Sequence, residues 1–449
     1  MKFRDNIGLP YDDDDVARHL EERNIGPWRR LTDRFPGISI RTLFSSVEPD
    51  RIRELVAEAV NRNDSYRAPD FFSYFVIDVP AETEIEDLVR VLSKWESIET
   101  AYFDPPGEDP GGVSASDRVL RNPGHVDRAP DGIDARFAWE HQGGDGAGQR
   151  IVDLEKGWTL DHQDIVGHGV IKMCGANIES SRPHGTSVLG VVCAAHGHIG
   201  GLGIAPNVGS VKVISHFGTC NGKPASISSA VLAVINSLPL DSGAVLLLEV
   251  QRFGLPAEFV DDTFDAVELA VERGITVVEA AGNGGVNGVN LDNFENANGE
   301  RILSRAFRDS GAIMVAAAKS RLTPGTNKYS RIDSSNYGSR IDCCAWGENV
   351  STATSTANTP FSTDGYRLDF DGTSSAAAII AGVALLVQGM AMKGSLGGRL
   401  DAVDLRAVLA SHGTPSDDPV NEPIGVMPDL RAIIESGDIG VVLPLVPPQ

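Results

Sequence analysis

The chain has 449 residues, of which 41% are hydrophobic and 22% charged, as in a soluble globular protein with one large and one smaller domain. Its formal net charge of -23 argues against a surface that binds nucleic acid or docks on anionic membranes. The N-terminal stretch lacks the apolar core of a secretory signal peptide, and no window has the roughly 18 uninterrupted apolar residues of a membrane span.

Residues 1–37 begin the chain as a polar, acidic segment with a run of aspartates at 12–15, and we expect a mobile or loosely docked arm there. Residues 38–105 follow the pattern strand, helix, strand, helix, strand, with apolar residues at helical spacing in both helices. So short a segment with these elements predicts a small α+β unit, in which a pair of helices packs on an open sheet. Residues 106–124 are rich in Pro, Gly, Ser and Asp, which is typical of a linker.

The segment from 125 to 440 changes to an α/β pattern, and 441–449 form a short C-terminal tail. Near-continuous apolar strands alternate with helical segments, which predicts a parallel sheet covered by helices on both faces. Catalytic groups on such sheets gather at the carboxyl ends of the strands. The predicted strands are 150–155, 210–215, 244–250, 276–283 and 312–318.

The cysteines are few, odd in number and without the paired spacings of metal sites. We therefore predict free thiols in a reducing compartment, most simply the cytoplasm, with export by a route without a signal peptide left open. No metal or other cofactor is predicted. The cysteines are Cys174, Cys193, Cys220, Cys343 and Cys344.

Two motifs near the start of the α/β segment contain carboxylates and a histidine. In "IVDLEKGW", Asp153 and Glu155 are two apart and share one face of a strand, and Glu155 lies at the strand end just before Gly157. A carboxylate there could orient a histidine. In "RPHGTSVLGVV", His184 precedes a small apolar helix; alone, such a histidine is more often structural.

Two polar residues further along the chain, one after a predicted strand and one before a predicted helix, can likewise be either structural or catalytic. Asn283, in "TVVEAAGNGG", is by itself only a loop signal, although an amide there can donate to a developing oxyanion. Ser374, in "DFDGTSSAAAIIAG", is by default a helix cap. The start of a helix also favours negative charge, and a serine there becomes a nucleophile when a base lies beside it.

Three of these segments in this order, "HGTSVLG", "AAGNGG" and "GTSSAAAIIAG", resemble those of the subtilisin-like serine protease family, over about 125–440. The resemblance implies a subtilisin-like parallel sheet, with Ser374 as nucleophile, His184 as general base and Asn283 as oxyanion donor. It implies a serine endopeptidase that acts on proteins or peptides. The unit at 38–105 is similar, more weakly, to the ferredoxin-like prodomain that acts as an intramolecular inhibitor in this family.

The chain departs from the family at the first catalytic position, which is normally an aspartate in an Asp-Ser/Thr-Gly turn. Alignment on Gly157 puts Glu155 there, with one extra methylene or roughly 1.5 Å of reach, and misplacement on that scale can cost about a hundredfold in rate. Asp153 on the same face is the competing assignment; we favour Glu155 because only it has the glycine at the right offset. The substitution also leaves open a catalytically silent relative that binds peptides or proteins.

Glu249 stands in the otherwise apolar strand "AVLLLEVQRFG", where an unpaired charge would be costly. It is predicted either to be a buried acid paired with Arg252, or to be a carboxylate at the substrate cleft. In the cleft it would select a basic side chain or shift the working pH. Glu279 raises the same question.

Overall fold

The computed structural model describes residues 1–23, 25–105, 107–108, 124–197, 200–296, 298–323, 329–355 and 361–441. Most of the predicted linker at 106–124, and the predicted tail at 441–449 apart from its first residue, lie outside these ranges.

The N-terminal part of the chain folds into a small unit of short strands and helices. Its elements are β1 (Lys2–Phe3), α1 (Val16–Glu22), α2 (Trp28–Arg34), β2 (Ser39–Thr42), α3 (Pro49–Arg62), β3 (Phe75–Asp78), α4 (Ile85–Leu92) and β4 (Ile98–Thr100). Strands and helices thus alternate from β2 to β4, as the pattern of 38–105 predicts. The strands are short, and β2 and β3 pair antiparallel.

The prediction of a mobile or loosely docked arm at 1–37 is wrong. Strand β1 pairs antiparallel with β4 in a two-stranded sheet, and Lys2 is bridged to Tyr74, the residue before β3, so the arm is paired with the rest of the unit. Val16 and Leu20 of α1 and Leu31 of α2 are buried in the same hydrophobic cluster as β3 and α4. The sequence does not reveal this docking, because the acidic run at 12–15 is followed by a short helix with few apolar residues.

The remainder of the chain forms the larger unit. Its elements are α5 (Ala135–Ala138), β5 (Arg150–Glu155), β6 (Ile171–Lys172), α6 (Arg182–Cys193), β7 (Ser210–Ser215), β8 (Thr219–Cys220), β9 (Lys223–Pro224), α7 (Ile227–Ser237), β10 (Val245–Leu248), β11 (Gln251–Arg252), β12 (Leu255–Pro256), α8 (Asp261–Glu272), β13 (Thr276–Ala280), β14 (Ile313–Ala318), β15 (Cys343–Trp346), β16 (Val350–Thr354), β17 (Gly365–Phe370), α9 (Gly372–Lys393), α10 (Ala402–Ser411), β18 (Gly413–Pro415), β19 (Val426–Pro428) and α11 (Leu430–Ser436).

A nine-stranded sheet forms the centre of the larger unit, in the order β18-β19-β15-β14-β13-β10-β5-β7-β6. All neighbouring strands from β19 to β6 are parallel, and only β18 runs antiparallel to its neighbour. Successive residues of β5 face opposite sides: Ile151 packs with α6 and α9, and Val152 packs with α7 and α8. The predicted α/β fold, a parallel sheet between two layers of helices, is confirmed.

Helix α9 runs through the core beneath the sheet. By length and composition alone it could cross a membrane, yet 94% of its most apolar window is buried inside the protein. It continues through Ala378 as one helix.

The two units share a hydrophobic cluster, because Ile52 and Leu55 of α3 pack with Ala266 and Ala270 of α8. Polar contacts surround this shared core. The Ser46 hydroxyl, for example, donates to a backbone carbonyl of α7. The N-terminal unit is therefore docked through both apolar and polar contacts.

The prediction that all five cysteines are free thiols is wrong for two of them. Cys174 and Cys220 form a disulfide that closes a loop of 46 residues, while Cys193, Cys343 and Cys344 are free and buried. The sequence conceals the pair because the two positions are far apart and belong to no recognisable spacing. The cytoplasmic location remains a prediction, and it loses the support that free thiols at these two positions would give.

Candidate active site

Four predicted site residues lie where elements of the larger unit begin or end. Glu155 is the last residue of β5, His184 lies in the first turn of α6, and Ser374 lies in the first turn of α9. Asn283 follows the end of β13. Because β5 and β13 belong to one parallel sheet, their carboxyl ends open on the same edge, as expected for a catalytic site in this architecture.

Glu155, His184 and Ser374 form one continuous chain of contacts. Glu155 Oε2 lies 2.7 Å from His184 Nδ1, and His184 Nε2 lies 2.9 Å from Ser374 Oγ. All three side chains are buried, with exposed fractions of 0%, 2% and 0%. A carboxylate that holds one imidazole nitrogen while the other meets an alcohol is the arrangement that activates a serine nucleophile.

A glycine allows α6 to bring His184 close to the end of β5. A Cβ atom on Gly185 would lie 2.3 Å from the carbonyl oxygen of Gly157, so a side chain at this position would push the helix away from the turn that follows Glu155. The glycine beside the histidine in the motif is therefore a requirement of packing.

Ser374 is not the N-cap of α9, because the cap position is Asp371. The helix starts at Gly372 with φ +80°, a left-handed conformation that glycine adopts without strain. The neighbouring Ser375 hydroxyl donates to the carbonyl of Trp346, which ties the first turn of α9 to β15. The default interpretation of Ser374 as a cap is thus replaced by its contact with His184.

The competing acid, Asp153, is bound to a different partner. Its Oδ2 accepts a hydrogen bond of 2.6 Å from the indole N–H of Trp158, and both side chains are fully buried. Asp153 therefore supports the turn after β5, whereas Glu155, two residues later on the same face, contacts the histidine.

Asn283 lies against the start of α9, one residue from the serine. Its Oδ1 accepts from the backbone N–H of Thr373 at 3.2 Å, and its own backbone N–H donates to Oε1 of Gln251 at 2.8 Å. These contacts hold the amide side chain beside Ser374, where a carboxamide could meet an oxyanion. Gln251 is a site residue that the motifs do not reveal.

Glu249 follows β10 directly and is fully buried. The register of β10 on β5 pairs Leu248 with Leu154, so the backbone of Glu249 lies beside that of Glu155. Arg252, the partner weighed for Glu249, is an ion-pair partner of Asp104. A role for Glu249 in substrate selection stays a prediction.

Glu279 is also a buried acid, in β13. Its Oε1 accepts from the backbone N–H of Glu258 at 3.0 Å. Burial, together with the nearby charge of Glu258, raises the pKa of Glu279 well above its ordinary value. The side chain is thus engaged in the packing of the segment before α8.

The segment that follows β4 reaches this site. Glu108 and Gln251 exchange both backbone hydrogen bonds, at 2.8 and 3.0 Å, as an antiparallel pair. Gly107 packs closely against His216 and Val250 of the larger unit. A Cβ atom at this position would come within 2.5 Å of His216 Cε1 and 2.6 Å of Val250 Cγ1. The chain after the N-terminal unit therefore lies as a strand on Gln251, the residue that also holds Asn283.

Comparison with known proteins identifies a family for most of the larger unit. A family model described as the subtilase family, Peptidase_S8, matches residues 171–421, a segment that includes His184, Asn283 and Ser374 but not Glu155. Subtilisin-like protease 1 of Pseudogymnoascus destructans is 27% identical over 296 residues, which cover 64% of this chain and 61% of that protein. Subtilisin DY of Bacillus licheniformis is 30% identical over 215 residues, covering 44% and 72%.

Solved structures agree on the fold. Fervidolysin from Fervidobacterium pennivorans, described as a keratinolytic enzyme related to subtilisin, superposes with a TM-score of 0.54 at 17% identity, covering 85% of this chain and 59% of that one. A protease from Pseudoalteromonas arctica gives 0.50 at 20% identity, covering 70% and 96%. The chain spans less than two thirds of several curated relatives, 61% and 57% for two of them. The family match, which extends over more than half of the chain, establishes that this protein belongs to the subtilase family.

Proposed function

We propose that the chain is a serine endopeptidase that hydrolyses peptide bonds through an acyl-enzyme on Ser374. The observation that carries the proposal is the unbroken contact from Glu155 through His184 to Ser374, at 2.7 and 2.9 Å in a buried setting. The substrate is a protein or peptide, in keeping with the family.

In the first half of the reaction, Ser374 Oγ attacks the carbonyl carbon while His184 Nε2 takes the hydroxyl proton. Glu155 holds the imidazole through Nδ1 and stabilises its protonated form. The oxyanion is received by the side-chain amide of Asn283 and the backbone N–H of Ser374. Collapse of the tetrahedral intermediate breaks the C–N bond, and the proton on His184 goes to the leaving amine. Water then hydrolyses the acyl-enzyme with His184 again as base.

We further propose that the N-terminal unit is an intramolecular inhibitor. Support comes from the antiparallel pairing of Glu108 with Gln251, which occupies the strand beside the cleft. A cut within 107–124 would release this segment. Sequencing the new N-terminus after incubation of the full-length protein tests the point: absence of any cut, together with full activity, contradicts the inhibitory role.

A fluorophosphonate label tests the enzyme proposal against the alternative of a silent peptide- or protein-binding relative. We expect the full-length protein, after incubation, to be labelled at Ser374, and Ser374→Ala to lose the label. His184→Ala, which keeps the serine but removes its base, should lose most of the labelling rate. A protein that binds peptides but takes up no label would reject the enzyme proposal.

A further inference from the structure

Arg252 is a buried cation beside the cleft, with an exposed fraction of 1%. The larger unit holds its guanidinium in place: Nη1 donates to Thr263 Oγ1 at 3.1 Å and to the Ala257 carbonyl at 3.4 Å. Nη2 lies 2.8 Å from Oδ1 of Asp104, which belongs to the segment after the N-terminal unit. The guanidinium is therefore anchored on one side and meets a carboxylate from another part of the chain on the other.

The next residue of the same hairpin carries an exposed aromatic ring. Phe253 has φ +53° and an exposed fraction of 62%, and its ring centroid lies 6.3 Å from that of Phe103. The left-handed region is unfavourable for a bulky residue, so the turn between β11 and β12 is strained at the residue that presents the ring. Two adjacent residues of the hairpin thus meet two adjacent residues of the segment.

The spacing between these contacts and the reacting centre is defined by the backbone. Asp104 lies four residues before Glu108, which pairs with Gln251, and the Gln251 side chain holds Asn283. A substrate peptide that pairs with Gln251 in the same direction would place the residues four and five positions before the paired one beside Arg252 and Phe253.

We propose that the β11–β12 hairpin is a recognition site for substrate outside the cleaved segment, which binds an aromatic residue followed by an acidic one. The acidic residue contacts Arg252 and lies four positions before the residue that pairs with Gln251. The inference rests on the proposed function: residues 103–104 fill the site within the chain, and substrate fills it when that segment leaves.

The charged groups around Arg252 favour binding of one acidic side chain of the substrate. Asp262, a buried acid that lines the same cavity as Arg252, accepts from the hydroxyls of Ser228 and Thr263 at 2.9 and 3.4 Å. A cavity of about 500 Å³ lies beside Asp104 between the two units, lined by Arg252 and His216 of the larger unit and by Met1 and Phe75 of the N-terminal unit. In a protein with a net charge of -23, one buried cation gives a local exception to general repulsion of acidic peptides.

Peptide substrates that share one cleaved segment test the site. They carry Phe-Asp, Phe-Asn or Ala-Asp at the two positions that match 103–104. The enzyme is the full-length chain with Phe103→Ala and Asp104→Ala, so that its own segment does not compete at the hairpin. We expect kcat/KM to be about tenfold higher for Phe-Asp than for Phe-Asn, and a few-fold higher than for Ala-Asp. Arg252→Gln should abolish the Asp preference, and Arg252→Lys should keep part of it.

A binding measurement separates failure of this site from failure of the proposed function. Fluorescence anisotropy of the same labelled peptides requires no catalysis when it is measured on a Ser374→Ala form that also carries Phe103→Ala, Asp104→Ala and Gly107→Val, so that residues 103–108 do not occupy the hairpin and Gln251. A tenfold preference for Phe-Asp in binding, without any cleavage or labelling of the form that retains Ser374, sustains the recognition site and rejects the endopeptidase. Equal affinity for Phe-Asp and Phe-Asn, or no binding of either, overturns the recognition site even if the enzyme is active.

Discussion

The carboxylate of Glu155 contacts Nδ1 of His184 at 2.7 Å, although glutamate is one methylene longer than the aspartate that the resemblance to the family leads us to expect at this position. Glu155 ends β5 in register with Ser215 of β7, so its backbone is fixed by the sheet. The longer side chain is accommodated in a fully buried position without loss of the contact.

Shortening or neutralising this side chain should reduce catalysis for different reasons. Glu155→Asp keeps the charge but withdraws it by roughly 1.5 Å, and we expect a loss of about a hundredfold in kcat. Glu155→Gln keeps the length but removes the charge that stabilises protonated His184, and we expect a loss of about 10⁴-fold. Steady-state kinetics on one peptide substrate gives both values, and wild-type kcat in both variants would mean that Glu155 has no part in the triad.

Asp153→Asn is the matched control for these variants. Asparagine can still accept the hydrogen bond from the Trp158 indole, so kcat should remain within a few-fold of wild type while thermal stability falls slightly. If Asp153→Asn abolishes turnover and Glu155→Gln retains it, the assignment of the two acids is reversed.

Asn283→Ala should lower kcat by about 10²–10³-fold with little change in KM, because an oxyanion donor acts in the transition state. Gln251→Leu removes only the acceptor of the Asn283 backbone N–H, so its effect should be smaller. Equal kinetics for Asn283→Ala and wild type would remove Asn283 from the reaction.

Sequence reasoning named Glu155, His184 and Ser374, which the structure brings into contact, and it failed where contacts depend on distant backbone. The parallel strands follow from continuous apolar runs, since such runs can be buried only between two helical layers. The sheet strand at residues 2–3 is too short for any periodicity, so its pairing with β4 was not foreseeable. The glycine at 157 already favoured Glu155 over Asp153, but the hydrogen bond from Trp158 to Asp153 was not foreseeable, because no local pattern supplies it.

Gly107→Val should displace the segment that lies on the cleft. A side chain at 107 would collide with His216 and Val250, both of which are buried in the walls of the cleft. We expect faster fluorophosphonate labelling of Ser374 and loss of hydrogen-exchange protection at the Gln251 amide. Glu108→Ala is the control, because its side chain is exposed and its backbone pairing is retained. Wild-type labelling and protection in Gly107→Val would contradict this account of the segment.

Reduction of the disulfide between Cys174 and Cys220 should destabilise the protein. Closure of a 46-residue loop corresponds to about 4 kcal/mol in the chain-entropy treatment. We expect a reductant to lower the Tm of the wild-type protein by several degrees and to leave the double variant Cys174→Ser/Cys220→Ser unchanged. Titration of thiols in denaturant without reductant provides a second readout: five reactive thiols instead of three would show that the pair is not oxidised in the isolated protein.

Docking of the N-terminal unit should weaken as pH rises through about 6 to 7. Burial raises the pKa of Asp265 to about 6, and burial with neighbouring acids raises that of Glu268 to about 7; both belong to α8. The Tyr74 hydroxyl of the N-terminal unit donates to Asp265, so these acids lie at the contact. Since each pKa is higher in the docked state than in water, docking takes up protons and is favoured at low pH.

Other groups at the interface also titrate: burial raises the pKa of Asp104 to about 6, whereas burial lowers the pKa of the Met1 amino group and that of His216, which act in the opposite sense. The contribution of the α8 acids is therefore isolated by substitution of Glu268. The hydrogen bond with Arg273 lowers the pKa of Glu58 below its ordinary value of 4.5. Glu58 therefore favours docking as pH rises, but only in the pH range below 4.5. Hydrogen exchange of α3 amides between pH 5 and 8, corrected for intrinsic rates, should therefore show protection that falls with pH. Glu268→Gln should flatten this dependence, and Glu86→Gln, an exposed acid on α4, should leave it unchanged. Protection that increases with pH, or an unchanged slope in Glu268→Gln, would refute the role of these buried acids, because a neutral side chain at 268 cannot release a proton as the two units separate.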